Sequence, residues 1–436
     1  MSVPYGEYPI LAEGKTKIVR QNIYDPMLAI LEAKDDITAG DGARHDVITG
    51  KAAYATTTTC NVFSLLKVCD VPVAFREQLD ATCLLARKCE MLPYEVVVRR
   101  EAHGSYLKRH PSFTKGNVFP KLIVEFFLKT TGKRWQQHEL LADDPFIVFD
   151  PYIGLGRWRR LHLHLPDQPV CDESRMLTLT EHPPYDSCTV FSEMDEISRE
   201  AFLILEKAWQ MIGRRLVDFK VEFGFNCSDG RLLLADVIDN DSWRVIHDGL
   251  HIDKQLYRDN ASLDRVRQSY EEVAKLTEQF ILPRQLLILW RGSEKDDLQP
   301  FYEAIKIYMR QGLSTCEVTC SAHREPARAY QELSLITQRN PDAVIIAYAG
   351  RSNGLGPMLA ANTHIPVITV PASAKDFPDD VWSSLRAPSE APCMTIMEPK
   401  NAVLAALQIF AMRNPRIYAA LRMQQEERHI NIMALQ

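Results

Sequence analysis

Residues 216–244 read LVDFKVEFGFNCSDGRLLLADVIDNDSWR. Val217, Phe219, Val221, Phe223 and Phe225 alternate with Asp218, Lys220, Glu222 and Gly224. A period of two predicts a half-buried strand. Ser228-Asp229-Gly230 is a turn signal, and residues 231–237 predict the returning strand. Closing the hairpin at Asp229-Gly230 sets Glu222 roughly opposite Asp236, with Lys220 on the face of Glu222. A solvated sheet face and a metal-phosphate site both carry such charges. Asp236, Asp239, Asp241 and Arg244, crowded at one strand end, favour the site.

Upstream, Gly14-Lys15-Thr16-Lys17 interrupts two expected strands at 8–12 and 16–20, and 27–33 is a third. Residues 35–42 (DDITAGDG) read as a polar, glycine-bearing loop before a helix at 50–68. Strand material follows at 74–76, 81–88 and 95–102, with Met91-Leu92-Pro93 as a connection. A hairpin-rich sheet followed by a helix is an α+β lobe. Residues 130–192 show neither period, and 154–184 read largely as a surface-loop insertion. Helical spacing resumes at 198–215 through Phe202, Leu205, Trp209 and Ile212. Val266, Tyr270, Val273, Leu276 and Phe280 predict an amphipathic helix leading to Pro283. The expected organisation is a first domain at 1–260, a linker helix at 261–283 and a second domain at 284–436.

That second domain follows a different pattern. Short apolar strands at 285–290, 315–319, 343–348 and 366–370 take turns with helical segments near 298–309, 326–337 and 355–361. Such alternation predicts a doubly wound α/β domain, a parallel sheet covered on both faces. Ligands in such folds sit beyond the carboxyl ends of the strands. Three polar loops lie there: Arg291-Gly292-Ser293, Ser321-Ala322-His323-Arg324, and the glycine-rich run 349–354.

Composition sets the bounds. A chain of 436 residues, 46% hydrophobic and 25% charged, suffices for two or three globular domains. A formal net charge of −6 argues against a dedicated nucleic-acid binder. No run approaches the roughly 18 apolar residues of a membrane span. The opening MSVPYGEYPI lacks the basic start and apolar core of a secretion signal, so a cytosolic protein is expected. Ten cysteines include no CxxC pair, and Cys316 and Cys320 have no partnering cluster, which favours reduced thiols over zinc. The lack of GxGxxG weighs against a nicotinamide or flavin enzyme.

Several groups carry chemistry. Gly14 lets backbone approach a phosphate while Lys15 or Lys17 supplies a charge, although the spacing is not that of a P-loop. Joined to Glu222 and Asp236, which suit Mg²⁺ between nucleotide phosphates, this loop suggests a nucleotide cleft between two lobes. Arg99, Arg100, Ser105, Lys108 and Arg109 surround Gly104, either as a solvated charge run or as a sugar-phosphate grip. On the second rim, Ser293 and the amides near Gly292 suit a phosphate, and His323 suits proton transfer.

The longer motifs are EGKTK at 13–17, ITAGDGAR at 37–44, MLPYEVVVRREAHGSYLKR at 91–109, LVDFKVEFG at 216–224, LADVIDNDSWR at 234–244 and DKQLYRD at 253–259. The second domain adds SAHREP at 321–326, AGRSNGLGP at 349–357 and VWSSLR at 381–386. Together they resemble the bifunctional animal purine-synthesis family, in which phosphoribosylaminoimidazole-succinocarboxamide (SAICAR) synthetase is fused to phosphoribosylaminoimidazole (AIR) carboxylase. The resemblance spans about residues 8–412. It implies an N-terminal ATP-dependent ligase that joins L-aspartate to carboxyaminoimidazole ribonucleotide (CAIR), giving SAICAR, ADP and phosphate. ATP would then be held by Gly14, Lys15 and Lys17 and by a hinge at Met91-Leu92. Lys15, Lys129, Lys220, Glu222 and Asp236 match the Mg²⁺ and phosphate contacts, with Lys220 and Asp236 as catalytic residues. Arg99, Ser105, Lys108 and Arg244 match the substrate grip, with Asp36 and Asp41 near it. The C-terminal domain is implied to add CO₂ to AIR without ATP, biotin or metal, as part of a homo-octamer. Ser293 and Asp296 fall in its ribose-phosphate loop, and His323 at its proton-shuttling position. Ser321, Arg324, Gly350, Arg351, Ser352, Asn353 and Ser383 complete the expected contacts.

The chain departs from that pattern in places. An acidic, asparagine-rich segment is expected after Lys129, and Thr130-Thr131-Gly132-Lys133-Arg134 stands there, followed by some thirty extra residues before Phe191. The expected second serine of the phosphate loop is Lys295, Glu325 lies in SAHREP, and Pro371-Ala372 replaces a Pro-Pro pair. These departures keep an alternative open, a divergent paralogue that has lost one step and serves as a partner in purine-enzyme oligomers.

Overall fold

A computed structural model of the chain describes residues 5–39, 43–149, 161–179, 188–306, 308, 313–350 and 353–433. Asp41, Arg351 and Ser352 lie outside them. The chain forms two compact units, one of residues 1–281 with 422–436 and one of residues 282–421.

The first unit begins with β1 (Ile10–Glu13), β2 (Lys17–Gln21), β3 (Leu28–Ala33), β4 (Asp36–Ala39), β5 (Arg44–Val47) and α1 (Lys51–Val68). Next come β6 (Phe75–Gln78), β7 (Cys83–Arg87), β8 (Cys89–Glu101), α2 (Ser105–Arg109) and β9 (Val118–Leu128). Then follow β10 (Arg134–Trp135), β11 (His138–Glu139), β12 (Phe146–Phe149), β13 (Leu161–His164), β14 (Arg175–Leu179) and α3 (Cys188–Met211). β15 (Arg215–Asn226), β16 (Leu232–Ala235), β17 (Trp243–His247), β18 (Leu250–His251), α4 (Gln255–Arg258) and α5 (Leu263–Thr277) close the run.

Two antiparallel sheets result, a small one ordered β1-β2-β3-β7-β6 and a large one ordered β14-β13-β12-β9-β8-β15-β17-β18, with β16 also on β15. β15 is the centre of the large sheet. It was expected to be half-buried, yet nearly every residue is buried, because α3 covers one face and Phe202 meets Phe219 edge-on at 5.3 Å. On the opposite face Asp218 and Glu222 are buried too, whereas Lys220 is partly exposed and Arg215 is exposed.

Four local expectations need correction. Residues 35–42 include a strand, since β4 pairs with β5 and buries Ile37 against Ile48, Tyr257 and Tyr270. Met91-Leu92-Pro93 lies inside β8, where the register slips between Glu222 and Gly224; this bulge accommodates a proline that has no amide to donate. The same approach requires glycine at 224, where a Cβ would lie 2.8 Å from the Cβ of Cys89. The 154–184 segment contains the hairpin β13–β14, which extends the large sheet from β12; in Leu161-His162-Leu163-His164 only His162 is partly exposed, and His164 is buried with the leucines. Finally α3 begins at Cys188 and stops before Gly213, whose φ of +72° ends the helix ahead of β15.

The second unit contains β19 (Gln285–Arg291), α6 (Gln299–Ile305), β20 (Leu313–Thr319), α7 (Pro326–Arg339), β21 (Val344–Ala349), α8 (Leu355–Ala361) and β22 (Val367–Pro371). α9 (Trp382–Leu385), β23 (Met394–Thr395), α10 (Pro399–Ala411) and α11 (Pro415–Met433) follow. The parallel order β20-β19-β21-β22-β23 has apolar cores on both faces. The chain reverses direction across β19, which makes its carboxyl end the switch point at which such sheets bind ligands. From Arg422 onward α11 groups with the first unit, where Glu426 accepts from the Leu122 amide at 3.1 Å and from Arg100 at 3.4 Å.

Candidate active sites

A cleft of about 590 Å³ opens in the first unit. Val19, Ala29, Leu31 and Ala86 of the small sheet line it together with Gly14, Lys17, Met91, Leu92, Lys129, Glu222 and Asp236. Apolar walls with a few convergent charges suit a nucleotide base and its phosphates.

Register fixes the charged groups. Glu222 stands opposite Ala235, not Asp236, and the returning strand stops at Ala235 rather than Val237. Asp236 lies one residue past the ladder in the left-handed region, φ +65°, a conformation aspartate tolerates better than most residues. There its carboxylate pairs with the Lys17 ammonium. Lys129 donates to both Glu222 oxygens, at 2.8 and 2.7 Å. Burial lowers the Lys17 pKa to about 8, against the pull of Glu222. Burial opposes ionisation of Glu222 as well, but Lys129 and Lys17 outweigh it and hold its pKa below the usual value.

Lys220 shares the face of Glu222 but is paired elsewhere, donating to Glu95 Oε1 at 2.6 Å. Burial works against its ammonium, and Glu95 holds the pKa above the usual lysine value. Sequence reasoning missed Glu95, although register partners across β8 and β15 put it directly opposite Glu222. It also missed where acidity returns after Lys129. The Thr130 amide donates to Asp144 at 3.0 Å and the Thr130 hydroxyl to Asp143 at 3.0 Å, so a pair of aspartates folds back onto the basic segment. Burial raises the Asp144 pKa, with Glu95 and Lys220 among its electrostatic neighbours.

Nearby, Asp239 is buried and Asp241, partly buried, meets Lys51, Lys254 and Tyr270. Burial and Asp241 push Asp239 up, while Lys51 and Lys254 overcome burial and hold Asp241 down. Asp36 is bonded to His45 at 2.6 Å, which lowers its pKa. The neighbouring Asp35 accepts from the Ala52 amide at 2.9 Å at the start of α1.

Arg99 and Arg244 meet at one carboxylate. Asp218 Oδ2 accepts from Arg99 at 2.9 Å and Arg244 at 2.5 Å, and Glu125 holds Arg99 and Arg109 at 2.6 Å each. Ser105 lies within 3.4 Å of Arg99. Lys108 does not join them; it is exposed and pairs with Asp167 at 2.9 Å, and Arg109 takes the inward place on α2. Burial works against the Arg99 guanidinium, yet Glu125 and Asp218 raise its pKa further.

In the second unit the three loops converge. Asp296 lies under the glycines, 3.7 Å from a Cβ built on Gly292 and 3.3 Å from one on Gly350, and burial raises its pKa. Ser293 Oγ accepts from the Lys295 amide at 3.3 Å, and Ser321 Oγ from the Arg324 amide at 3.3 Å. His323 is exposed at the rim and its imidazole stacks against Gly354. Asn353 is a buried brace: its side chain donates to Ser384 at 2.9 Å and accepts from the Gly356 amide at 2.9 Å. Ser383 accepts from the Asn353 amide at 2.8 Å and donates to Asp380 at 2.6 Å, so both hydroxyl roles are taken within the loop.

A charged cleft beneath a small antiparallel sheet, carried on one chain with a doubly wound parallel sheet, defines a two-site enzyme acting on nucleotides. The SAICAR synthetase family model matches residues 10–144 and 167–277, and the AIR carboxylase model matches residues 287–431. The chain is 34% identical over 427 residues to the human bifunctional phosphoribosylaminoimidazole carboxylase/phosphoribosylaminoimidazole succinocarboxamide synthetase, covering 94% of this chain and 92% of that one. It is 33% identical over 438 residues to the probable multifunctional protein ADE2 of Caenorhabditis elegans, covering 97% and 95%. Among solved structures, phosphoribosylaminoimidazole-succinocarboxamide synthase from Ehrlichia chaffeensis matches with a TM-score of 0.49 at 25% identity, over 62% of this chain and 99% of that one. The chain belongs to the bifunctional AIR carboxylase/SAICAR synthetase family.

Proposed function

We propose that this enzyme catalyses two consecutive steps of purine biosynthesis, carboxylating AIR to CAIR in the second unit and ligating CAIR to L-aspartate with ATP in the first. The ligase assignment rests on one observation above the rest: Lys17, Lys129, Glu222 and Asp236 line a single cleft with an apolar wall. A carboxylate does not accept an amine unaided. Its oxygen first attacks the terminal phosphorus of ATP, releasing ADP and forming an acyl phosphate; the aspartate amine then displaces phosphate. Lys17 and Lys129 offset charge on the transferring phosphoryl group. Arg99, Ser105 and Arg244 hold the CAIR phosphate.

Glu222 and Asp236 fit Mg²⁺, a hard cation that takes one or two carboxylates with phosphates and waters completing its shell. Bound there, Mg²⁺ neutralises phosphate charge.

In the second unit, CO₂ bonds to C4 of AIR and the C4 proton departs to His323, with Ser293 and Asp296 on the ribose phosphate side. This chemistry calls for neither biotin nor a metal. By its resemblance to the family the enzyme works in the cytosol, as a homo-octamer assembled through the second unit. Asp143 and Asp144, folded onto Thr130 and Lys133, restore acidity where the sequence lacks it, which favours two working sites over a paralogue with one.

Purified protein given AIR, bicarbonate, L-aspartate and Mg-ATP tests the assignment. SAICAR, ADP and phosphate should form in equal amounts. No SAICAR from either AIR or CAIR would defeat it, and SAICAR from CAIR alone would favour the one-site paralogue.

A further inference from the structure

Arg99, Asp218 and Arg244 stand in one row across three adjacent strands. Asp218 on β15 is the register partner of Arg99 on β8 and of Arg244 on β17. Side chains at paired positions share a face, so both guanidiniums converge on the carboxylate between them. Its single oxygen Oδ2 accepts from both. Behind this row, Glu125 ties Arg99 to the wholly buried Arg109. Gly104 closes the front: its φ is +58°, and a Cβ there would lie 2.5 Å from Arg244 Nη2.

We propose that Asp218 is a positioning residue for the ligase reaction, aiming Arg99 and Arg244 together at the phosphate of CAIR. This deepens, and rests on, the reading of the arginine cluster as the CAIR site. Three guanidiniums face two carboxylates, which leaves one uncompensated positive charge for an anion. Arginine recognises phosphate through the fixed fork of its N–H groups, so orientation matters as much as charge. Among these arginines Arg244 is the more exposed, with a side-chain exposure of 18% against 4% for Arg99 and 0% for Arg109. Arg244 thus meets the ligand while the others are braced, and Asp218 is what stops it from swinging free.

Two roles for Asp218 make opposite predictions. If it merely offset charge, Asp218→Asn would add a net positive charge and tighten anion binding. If it positions the forks, the same change loosens CAIR. The test compares Asp218→Asn, Gly104→Ala and Arg244→Ala by steady-state ligation, varying CAIR and ATP separately and using inorganic phosphate as a competitor of CAIR. Asp218→Asn should raise the KM for CAIR about tenfold or more and weaken phosphate competition similarly, because a charged hydrogen bond is lost from each fork. The KM for ATP should stay within about twofold, which a general loosening of the sheet would not allow. Gly104→Ala should give the same pattern without altering the buried charges: the added methyl meets the end of Arg244, and the strain of alanine at φ +58° falls on the same loop, so the variant is read beside an unchanged KM for ATP; if the asparagine variant does not fold, this variant decides alone. An unchanged or lowered KM for CAIR in Asp218→Asn, or in Gly104→Ala when it stands alone, with Arg244→Ala still impaired, overturns the positioning role and leaves the site assignment intact. Normal CAIR kinetics in Arg244→Ala removes the site assignment and this inference with it.

Discussion

Replacing Gly354 by alanine should silence carboxylation while leaving ligation untouched. A Cβ at that position would sit 2.7 Å from Cε1 and 2.9 Å from Cδ2 of His323, and closer still to Nε2. Ordinary carbon contacts begin near about 3.5 Å, so the imidazole must retreat by roughly 1 Å. The backbone raises no objection: φ is −80° and ψ −22° at Gly354, which alanine adopts freely. The fold should therefore survive, with Tm shifted by no more than about 4 °C. A proton-transfer group misplaced by about 1 Å loses on the order of 100-fold in rate, within the 10²–10⁴-fold span such groups contribute. The assay measures CAIR formation from AIR and bicarbonate beside SAICAR formation from supplied CAIR. A fall of about 100-fold in the first with the second unchanged supports His323 as the proton acceptor. Full carboxylation in a variant whose imidazole has demonstrably moved would remove His323 from the mechanism.

Other perturbations probe the scaffold. Glu426→Ala strands the Leu122 amide and withdraws a carboxylate from Arg100 and Arg199, so the first unit should lose about 3 kcal/mol in urea unfolding; an unmoved midpoint would show that the end of α11 contributes nothing there. Burial holds the His164 imidazole below its ordinary value of 6.5, so the folded β13–β14 hairpin keeps it neutral. The unfolded chain takes the proton first, which means the hairpin is at full stability above about pH 6.5 and loses it as pH falls further. Hydrogen exchange at amides 161–164 should accelerate between pH 7.5 and 5.5 beyond the intrinsic trend, and His164→Asn should flatten that excess; an excess that persists in the variant would assign the effect to another group.

Periodicity carried much of this architecture. The alternation through 217–225 located the central strand, and the strand-helix turns after Pro283 located a parallel sheet with its ligand rim. What it could not supply was pairing between distant strands. Glu95 faces Glu222 only because β8 lies beside β15 with a bulge at Pro93, and no local pattern announces that register. Asp218 reads as an outward charge of a half-buried strand, but Arg99 and Arg244 on the two neighbouring strands enclose it. Lys108 and Arg109 were indistinguishable in a basic run; a five-residue helix turns one outward and the other into the core. Asp143 and Asp144 replace an acidic segment from more than ten residues downstream, a substitution in space that spacing rules cannot detect.

Two separable sites on one chain acting in sequence should come apart in the variant Asp236→Ala. Lys17 then loses the carboxylate it pairs with in the cleft, while Asp236 belongs to the first unit and His323 to the second. Supplied with AIR, bicarbonate, L-aspartate and Mg-ATP, this variant should accumulate CAIR at the wild-type rate and form no SAICAR. Loss of CAIR formation along with SAICAR, or SAICAR formed as before, would contradict the two-site account.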